Sequence, residues 1–176
     1  NDIHDAPHIG ILFAGNEHVM EFNEIHHVCE ETSDAGAIYV GRDWTARGNV
    51  IRYNFIHDLF GKSRKSDVTA IYLDDLASGV EIFGNVITDV YRAIFVGGGR
   101  DNHLENNVLA NCTLAISMDA RGVTDVLSIM SQNSVLMKRL SAMPIGRPPW
   151  STRYPQLAVI LQDDPIIPKK NVPQRK

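Results

Sequence analysis

Four aspartates, Asp43, Asp74, Asp75 and Asp119, occupy polar turns that follow short apolar segments. Carboxylates crowded together raise one another's pKa, and a pair split in this way supplies one general acid and one general base. A separation of roughly 5–5.5 Å suits retaining cleavage of a glycosidic bond, and roughly 6.5–9.5 Å suits inversion. Asp34 lies in an inserted loop from which it can reach the same groove. The same carboxylates also suit turn capping and pairing with Arg42, Arg100 and Arg121. Tyr39, Tyr72 and Phe95 recur at one outward position, with Trp44 expected at the edge of the row. Such a row can hold sugar rings by their apolar faces, or it can simply stabilise a sheet by cross-strand stacking. Arg42 and Arg100 suit the carboxylate of an acidic sugar, and Arg121 joins them as a candidate binding residue. His26, His27 and His57 read as surface residues on another face. Gly97-Gly98-Gly99 lacks the strand–helix context of a nucleotide loop and reads as a tight turn.

A repeat must position these side chains. Ala37-Ile38-Tyr39-Val40 returns as Ala70-Ile71-Tyr72-Leu73, Ala93-Ile94-Phe95-Val96 and Ala115-Ile116-Ser117-Met118, at steps of 33, 23 and 22 residues. Period-2 alternation puts Ile38/Val40 and their counterparts inside and the aromatic residues outside. A polar turn, a second strand such as Val50–Tyr53 or Val80–Phe83, an Asn turn and a third short strand follow. Phe22-Asn23, Tyr53-Asn54, Gly84-Asn85 and Asn106-Asn107 mark that Asn turn. Asn tolerates the left-handed conformation, and stacked Asn side chains can bond as a ladder. Three strands in about 22 residues mean a solenoid. The expected fold is an all-β right-handed parallel β-helix of about five coils, with a short α-helical C-terminal segment. Gly10 to Val28 forms an earlier coil in the same phase. Asp75 then lies beside Arg42, with Asp43 close to Asp75 in register. Asp74 and Asp119 lie two coils apart, or about 10 Å at strand spacing.

The coils are expected over 1–122 and a helical and irregular segment over 123–176. Thr124 to Leu140 reads as one helix, with Val126, Met130, Met137 and Leu140 near one face. Arg147-Pro148-Pro149-Trp150 reads as a connector, and Arg153 to Leu161 as a second helix ended by Asp163-Asp164-Pro165. The tail Lys170-Asn171-Val172 is similar to the Gly48-Asn49-Val50 entry into a second strand, which suggests a further coil. Open coil ends expose apolar interior and unpaired backbone. The chain is therefore expected either to be a fragment of a longer solenoid or to self-associate through its ends.

Composition excludes several classes. A net charge of −4 offers no general attraction to nucleic acid. No apolar run reaches membrane-span length. Cys29 and Cys112 lack metal spacing and read as core or loop thiols.

The blocks Asp34–Tyr39, Gly41–Trp44, Ile71–Asp75, Arg92–Asp101 and Asp119–Gly122 resemble right-handed parallel β-helix repeat proteins of the pectate-lyase-like superfamily. Pro148-Pro149-Trp150 with Arg153-Tyr154-Pro155 and Asp163-Asp164-Pro165 brings the likeness closest to glycoside hydrolase family 141 and its uncharacterised bacterial relatives. Family members are generally much longer. The resemblance implies a secreted or periplasmic protein that acts on plant-type polysaccharide, pectic or xylan-like, with no resident cofactor. Glycoside hydrolysis by an Asp pair drawn from Asp43, Asp74, Asp75 and Asp119, with Asp34 in reserve, is the leading expectation. A polysaccharide lyase is the first alternative, with Asp74, Asp75 and Asp101 as oxygen ligands for Ca²⁺. A non-catalytic carbohydrate-binding or structural module, or an inactive fragment of a larger enzyme, is the second.

Overall fold

The computed structural model describes residues 1–61, 67–124, 131 and 134–163. Three parallel sheets run the length of the solenoid. The first contains β2 (Ile11–Leu12), β5 (Ala35–Gly41), β8 (Val68–Asp74), β11 (Arg92–Gly97) and β14 (Leu114–Asp119). The second contains β3 (Val19–Glu21), β6 (Asn49–Arg52), β9 (Val80–Phe83) and β12 (His103–Glu105). The third contains β1 (Asp2–Ile3), β4 (Glu24–His26), β7 (Phe55–Leu59), β10 (Val86–Val90) and β13 (Val108–Ala110). Every pairing is parallel, and the register matches the repeat: Ile38, Ile71, Ile94 and Ile116 are partners in the first sheet. Ile51, Ile82 and Leu104 align in the second, and Ile25, Ile56, Ile87 and Leu109 in the third. Apart from the exposed Ile116, these branched chains fill or pack against one continuous core, because each coil can bury its inward face only against its neighbours. Gly10 to Val28 forms a coil as expected, through β2, β3 and β4.

Two columns of turn residues set the corners. Asn23, Asn54 and Asn85 are buried, and each side-chain oxygen accepts from the preceding ladder Asn: Asn23 Nδ2 gives to Asn54 at 2.9 Å, Asn54 to Asn85 at 2.9 Å and Asn85 to Asn107 at 2.9 Å. The left-handed position expected at these Asn falls one residue earlier, on Phe22, Tyr53, Gly84 and Asn106. The ladder Asn are there for their amides. The second column, Asp5, His27, Asp58, Asp89 and Asn111, follows the third sheet with φ between 48° and 56°. Short polar side chains tolerate that region best, which accounts for four of its five residues, all but His27.

The C-terminal segment departs from the two expected helices. One short helix covers Arg121–Thr124 and another Val135–Ala142. Ser134 is extended, and its hydroxyl accepts from Met137 N at 3.2 Å, so it starts the second helix as an N-cap and breaks a single Thr124–Leu140 helix. Val126 and Met130 lie outside the described residues. Arg153 to Leu161 is also divided: a helix over Trp150–Arg153, a 3₁₀ turn over Pro155–Val159 and a helix over Ile160–Asp163. Pro155 has no N–H to continue a helix through Tyr154. Asp164, Pro165 and the Lys170-Asn171-Val172 tail lie outside the described residues.

These helices dock on the turns of the first sheet through a second apolar cluster of Trp44, Leu76, Leu136, Leu140, Leu157 and Ile160. Trp44 is 2% exposed, so its indole anchors the helical segment and does not edge the aromatic row. Trp44→Ala is expected to cost about 3–5 kcal/mol, seen as a lower melting temperature and early proteolysis within 134–163. Trp44→Phe should recover most of the loss.

Candidate functional site

The first sheet ends in a row of turns that carries the predicted carboxylates. In register, Gly41 faces Asp74 and Gly97 faces Asp119, so the Asp side chains meet little bulk from the intervening coils. Arg121, at the start of the helix after β14, reaches back into this row. Its Nη1 lies 2.7 Å from Asp74 Oδ1 and 2.8 Å from Asp75 Oδ1. Its Nε and Nη2 lie 2.8 and 2.7 Å from Asp119 Oδ2. One guanidinium therefore gathers carboxylates from two coils that are not adjacent. Arg42 Nε binds Asp75 Oδ2, and Tyr39 donates its hydroxyl proton to Asp74 Oδ2 at 2.6 Å. The Asp75 N–H closes on Asp74 Oδ1 at 2.8 Å.

The electrostatics follow from this pairing. Burial pushes the Asp75 carboxyl up, but hydrogen bonds and charge from Arg42 and Arg121 together outweigh it and hold the group below the usual carboxylate range. Burial, reinforced by the Asp74 hydrogen bond, raises the Tyr39 phenol, so it stays a donor. The result is a closely paired knot in which two guanidiniums, Arg42 and Arg121, serve the three carboxylates Asp74, Asp75 and Asp119, with Tyr39 as a neutral donor.

The other predicted residues lie apart from the knot. Asp43 caps its own turn, accepting from Thr45 N at 2.9 Å and Thr45 Oγ1 at 2.7 Å, and pairs loosely with Arg139 at 3.7 Å. Backbone register puts Arg42 beside Asp75, as expected, but the Asp43 carboxylate turns away. Asp34 accepts from Tyr72 Oη at 3.0 Å. Arg100 pairs weakly with its neighbour Asp101 at 3.5 Å in a different turn. Asp101 binds the fully buried Arg47 at 2.6 Å, so it does not join Asp74 and Asp75. The carboxylates suggested for Ca²⁺ are thus divided between two sites, Asp74 and Asp75 with Arg42 and Arg121, and Asp101 with Arg47 and Arg100, and Arg121 places a positive charge where a cation would sit. Among the described residues, no group of three or more His, Cys, Asp or Glu is placed to hold a metal ion.

Tyr39, Tyr72 and Phe95 do form a row: Tyr39 meets Tyr72 edge to face, with ring centroids 5.2 Å apart, and Tyr72 stacks on Phe95 at 4.9 Å. Their faces are largely taken. Tyr72 and Phe95 are buried, and Arg92 and Arg121 lie 4.4 and 5.4 Å from the Phe95 ring. Arg92 pairs with Asp67 at 2.9 Å and is aligned with Thr69 across the sheet. Sequence reasoning missed both Arg92 and the buried Arg47. Aligning the residue before each repeat Ala, which gives Gly36, Thr69, Arg92 and Leu114, would have flagged Arg92 as the one charge in that column. Nothing in the repeat singles out Arg47. Histidines 26 and 57 stack at 5.0 Å on the third sheet, away from the knot. Cys29 and Cys112 are free thiols. Burial pushes the Cys29 thiol up to about 12, so it is inert at neutral pH.

A family model described as a right handed beta helix region matches residues 1–135. No curated protein and no solved structure matches the chain.

Proposed function

Given that this chain belongs to the right-handed β-helix family, whose domain is found in pectate lyases and glycosidases, we propose that it binds polysaccharide along the turn ridge of the first sheet. Arg121 and its three carboxylates are the centre of that ridge. The observation that carries the reading is the pairing itself. Glycoside hydrolysis needs one carboxyl that holds a proton and one that is free to attack or activate water. Both oxygens of Asp75 are held by arginines, and its proton affinity is lowered. Asp74 is engaged by Tyr39, Arg121 and a backbone N–H. Both oxygens of Asp119 face Arg121. These paired groups stay partly open to solvent, with Arg42 the most exposed at 63%, and charged donors and acceptors of that kind suit sugar hydroxyls. A secreted or periplasmic location, as the resemblance implies, fits such a ligand.

Hydrolysis of a pectic or xylan-like chain is the second reading. One fact favours it: Asp74 and Asp75 each place an oxygen within 2.8 Å of the same Arg121 nitrogen. The two oxygens are then no farther apart than the roughly 5–5.5 Å of a retaining pair. That space holds Arg121, so the reaction requires the guanidinium to swing out when substrate enters.

Calorimetric titration with xylan-type and pectic oligosaccharides, followed by an assay for new reducing ends, separates the readings. Binding that survives Asp75→Asn without any product is the expected result. Product formation that is abolished by Asp75→Asn makes the chain a hydrolase. A chelator-sensitive, ultraviolet-absorbing product makes it a lyase. Absence of binding to either class removes the ridge as a sugar site.

A further inference from the structure

The corner after the third sheet repeats one side-chain pair, and one coil breaks the pattern. His4 Nδ1 meets Asp5 Oδ2 at 2.8 Å, and His57 Nδ1 meets Asp58 Oδ2 at 2.8 Å. Thr88 gives its hydroxyl proton to Asp89 Oδ2 at 2.7 Å. In these coils a donor is followed, at the left-handed corner, by a carboxylate that accepts from it. The coil between the first two sets His26 and His27 at the same positions. There Nδ1 of one ring faces Nδ1 of the other at 2.7 Å. Two ring nitrogens meet where the coils on either side set a nitrogen against a carboxylate. We infer that His26 and His27 form a two-nitrogen site for a transition-metal ion, Cu²⁺ by preference.

Two neutral imidazoles at this distance share a single proton. When both rings carry their proton on Nε2, the two Nδ1 lone pairs converge, and a metal ion can take the place of the shared proton. The surroundings favour that tautomer at His26. Asp2 Oδ1 lies 3.3 Å from His26 Nε2, and a carboxylate behind a ring nitrogen holds the proton there and raises the basicity of the other. His4 and His57 stack on His26 at 5.1 and 5.0 Å, which fixes its ring plane. His27 is exposed, so water can serve its Nε2 and the ring can turn to meet an ion. Nitrogens at 2.0–2.1 Å from a metal are about 2.8–3.0 Å apart at a right angle and about 3.3 Å apart at a tetrahedral one. The observed 2.7 Å is nearer the right angle, and tetragonal nitrogen and oxygen coordination is that of Cu²⁺, which also binds such ligands most tightly. Asp2, Asp5, Glu24 and Asp58 contact the three stacked rings, so this row carries negative charge that favours a cation. Two protein nitrogens leave the other positions to water, since no cluster of three or more His, Cys, Asp or Glu is placed to hold an ion among the described residues.

Titration of the protein with Cu²⁺ alone, followed by calorimetry and electron paramagnetic resonance, tests this. The expected result is an axial spectrum with splitting from two imidazole nitrogens. His27→Asn separates a ligand from a structural residue. Asn suits the left-handed corner, as Asn111 does in a later coil. The metal-free variant should therefore keep its melting temperature while its Cu²⁺ affinity falls by about tenfold or more. Cu²⁺ should raise the melting temperature of the wild type and not that of His27→Asn. His26→Gln should lose the site as well, and His103→Gln, on the second sheet, should keep it. Asp2→Asn, which removes the carboxylate behind His26, should weaken binding by about tenfold. A wild-type chain that takes up no Cu²⁺, or a His27→Asn chain that binds it with the affinity and spectrum of the wild type, overturns the inference.

Discussion

Arg121→Ala should lower the melting temperature more than any other single change on the ridge. It removes the cation shared by Asp74, Asp75 and Asp119, while Arg42 remains for Asp75 alone. The Asp74 side chain is only 9% exposed, so water cannot readily replace the lost partner. Breaking a fully buried pair costs about 3–5 kcal/mol. The half-open position of Asp75 and Asp119 reduces this to roughly 2–3 kcal/mol. For a chain of this size that is a fall of about 4–12 °C. The pH dependence has a defined sign. The folded Asp75 pKa lies below its ordinary value, so its stabilisation is fully present above the ordinary carboxylate range and is lost as pH falls through the lowered value. The gap between wild type and Arg121→Ala should therefore close on acidification. A gap that stays constant down to acid would show that Arg121 acts by packing and not by charge. Arg121→Lys, which keeps the charge but not the fork, should recover only part of the loss.

Asn54→Ala is expected to be comparably severe by a different route. Asn54 is 2% exposed. Its oxygen accepts from both the backbone and the side chain of Asn23, and its amide donates to Met20 O and Asn85 Oδ1. Alanine leaves these buried groups short of partners, at about 1–3 kcal/mol for each group left unsatisfied. A total near 3 kcal/mol follows if the coil relaxes around some of them. Asn54→Asp should not rescue it, because a carboxylate cannot donate to Met20 O or Asn85 Oδ1. Asn107→Ala, at the exposed end of the same ladder, should cost about 1 kcal/mol or less. Thermal melts of the three variants decide this. Equal losses at Asn54 and Asn107 would mean that the ladder is not what holds the corner.

The repeat made most of the solenoid legible. Ile38, Ile71, Ile94 and Ile116 recur at one phase, and only stacked coils bury such a pattern, so strand order and register followed from spacing. The C-terminal segment was harder. Its apolar period ran through Ser134, where capping chemistry stops the helix, and through Tyr154-Pro155, where a missing N–H does the same. Periodicity over a long window averages across such single-residue breaks. Trp44 was misplaced for a related reason. Its repeat position sets where its backbone lies, but a helix arriving from nearly a hundred residues later supplies the apolar partners that bury it.

The carboxylate site shows the same division. Sequence alone determined that Asp74, Asp75 and Asp119 share one row of turns, because parallel coils put equivalent residues about 4.8 Å apart per step. It also placed Arg42 beside Asp75. Only the tertiary structure decided what those carboxylates do. Arg121 bends back across the row and takes three of them, while Asp43 spends its oxygen on Thr45. A repeat specifies where a backbone lies along the solenoid axis. A side chain that can reach several partners is directed by whichever hydrogen bonds and charges surround it after folding, whether from its own turn, as Thr45 for Asp43, or from two coils away, as Arg121 for Asp74.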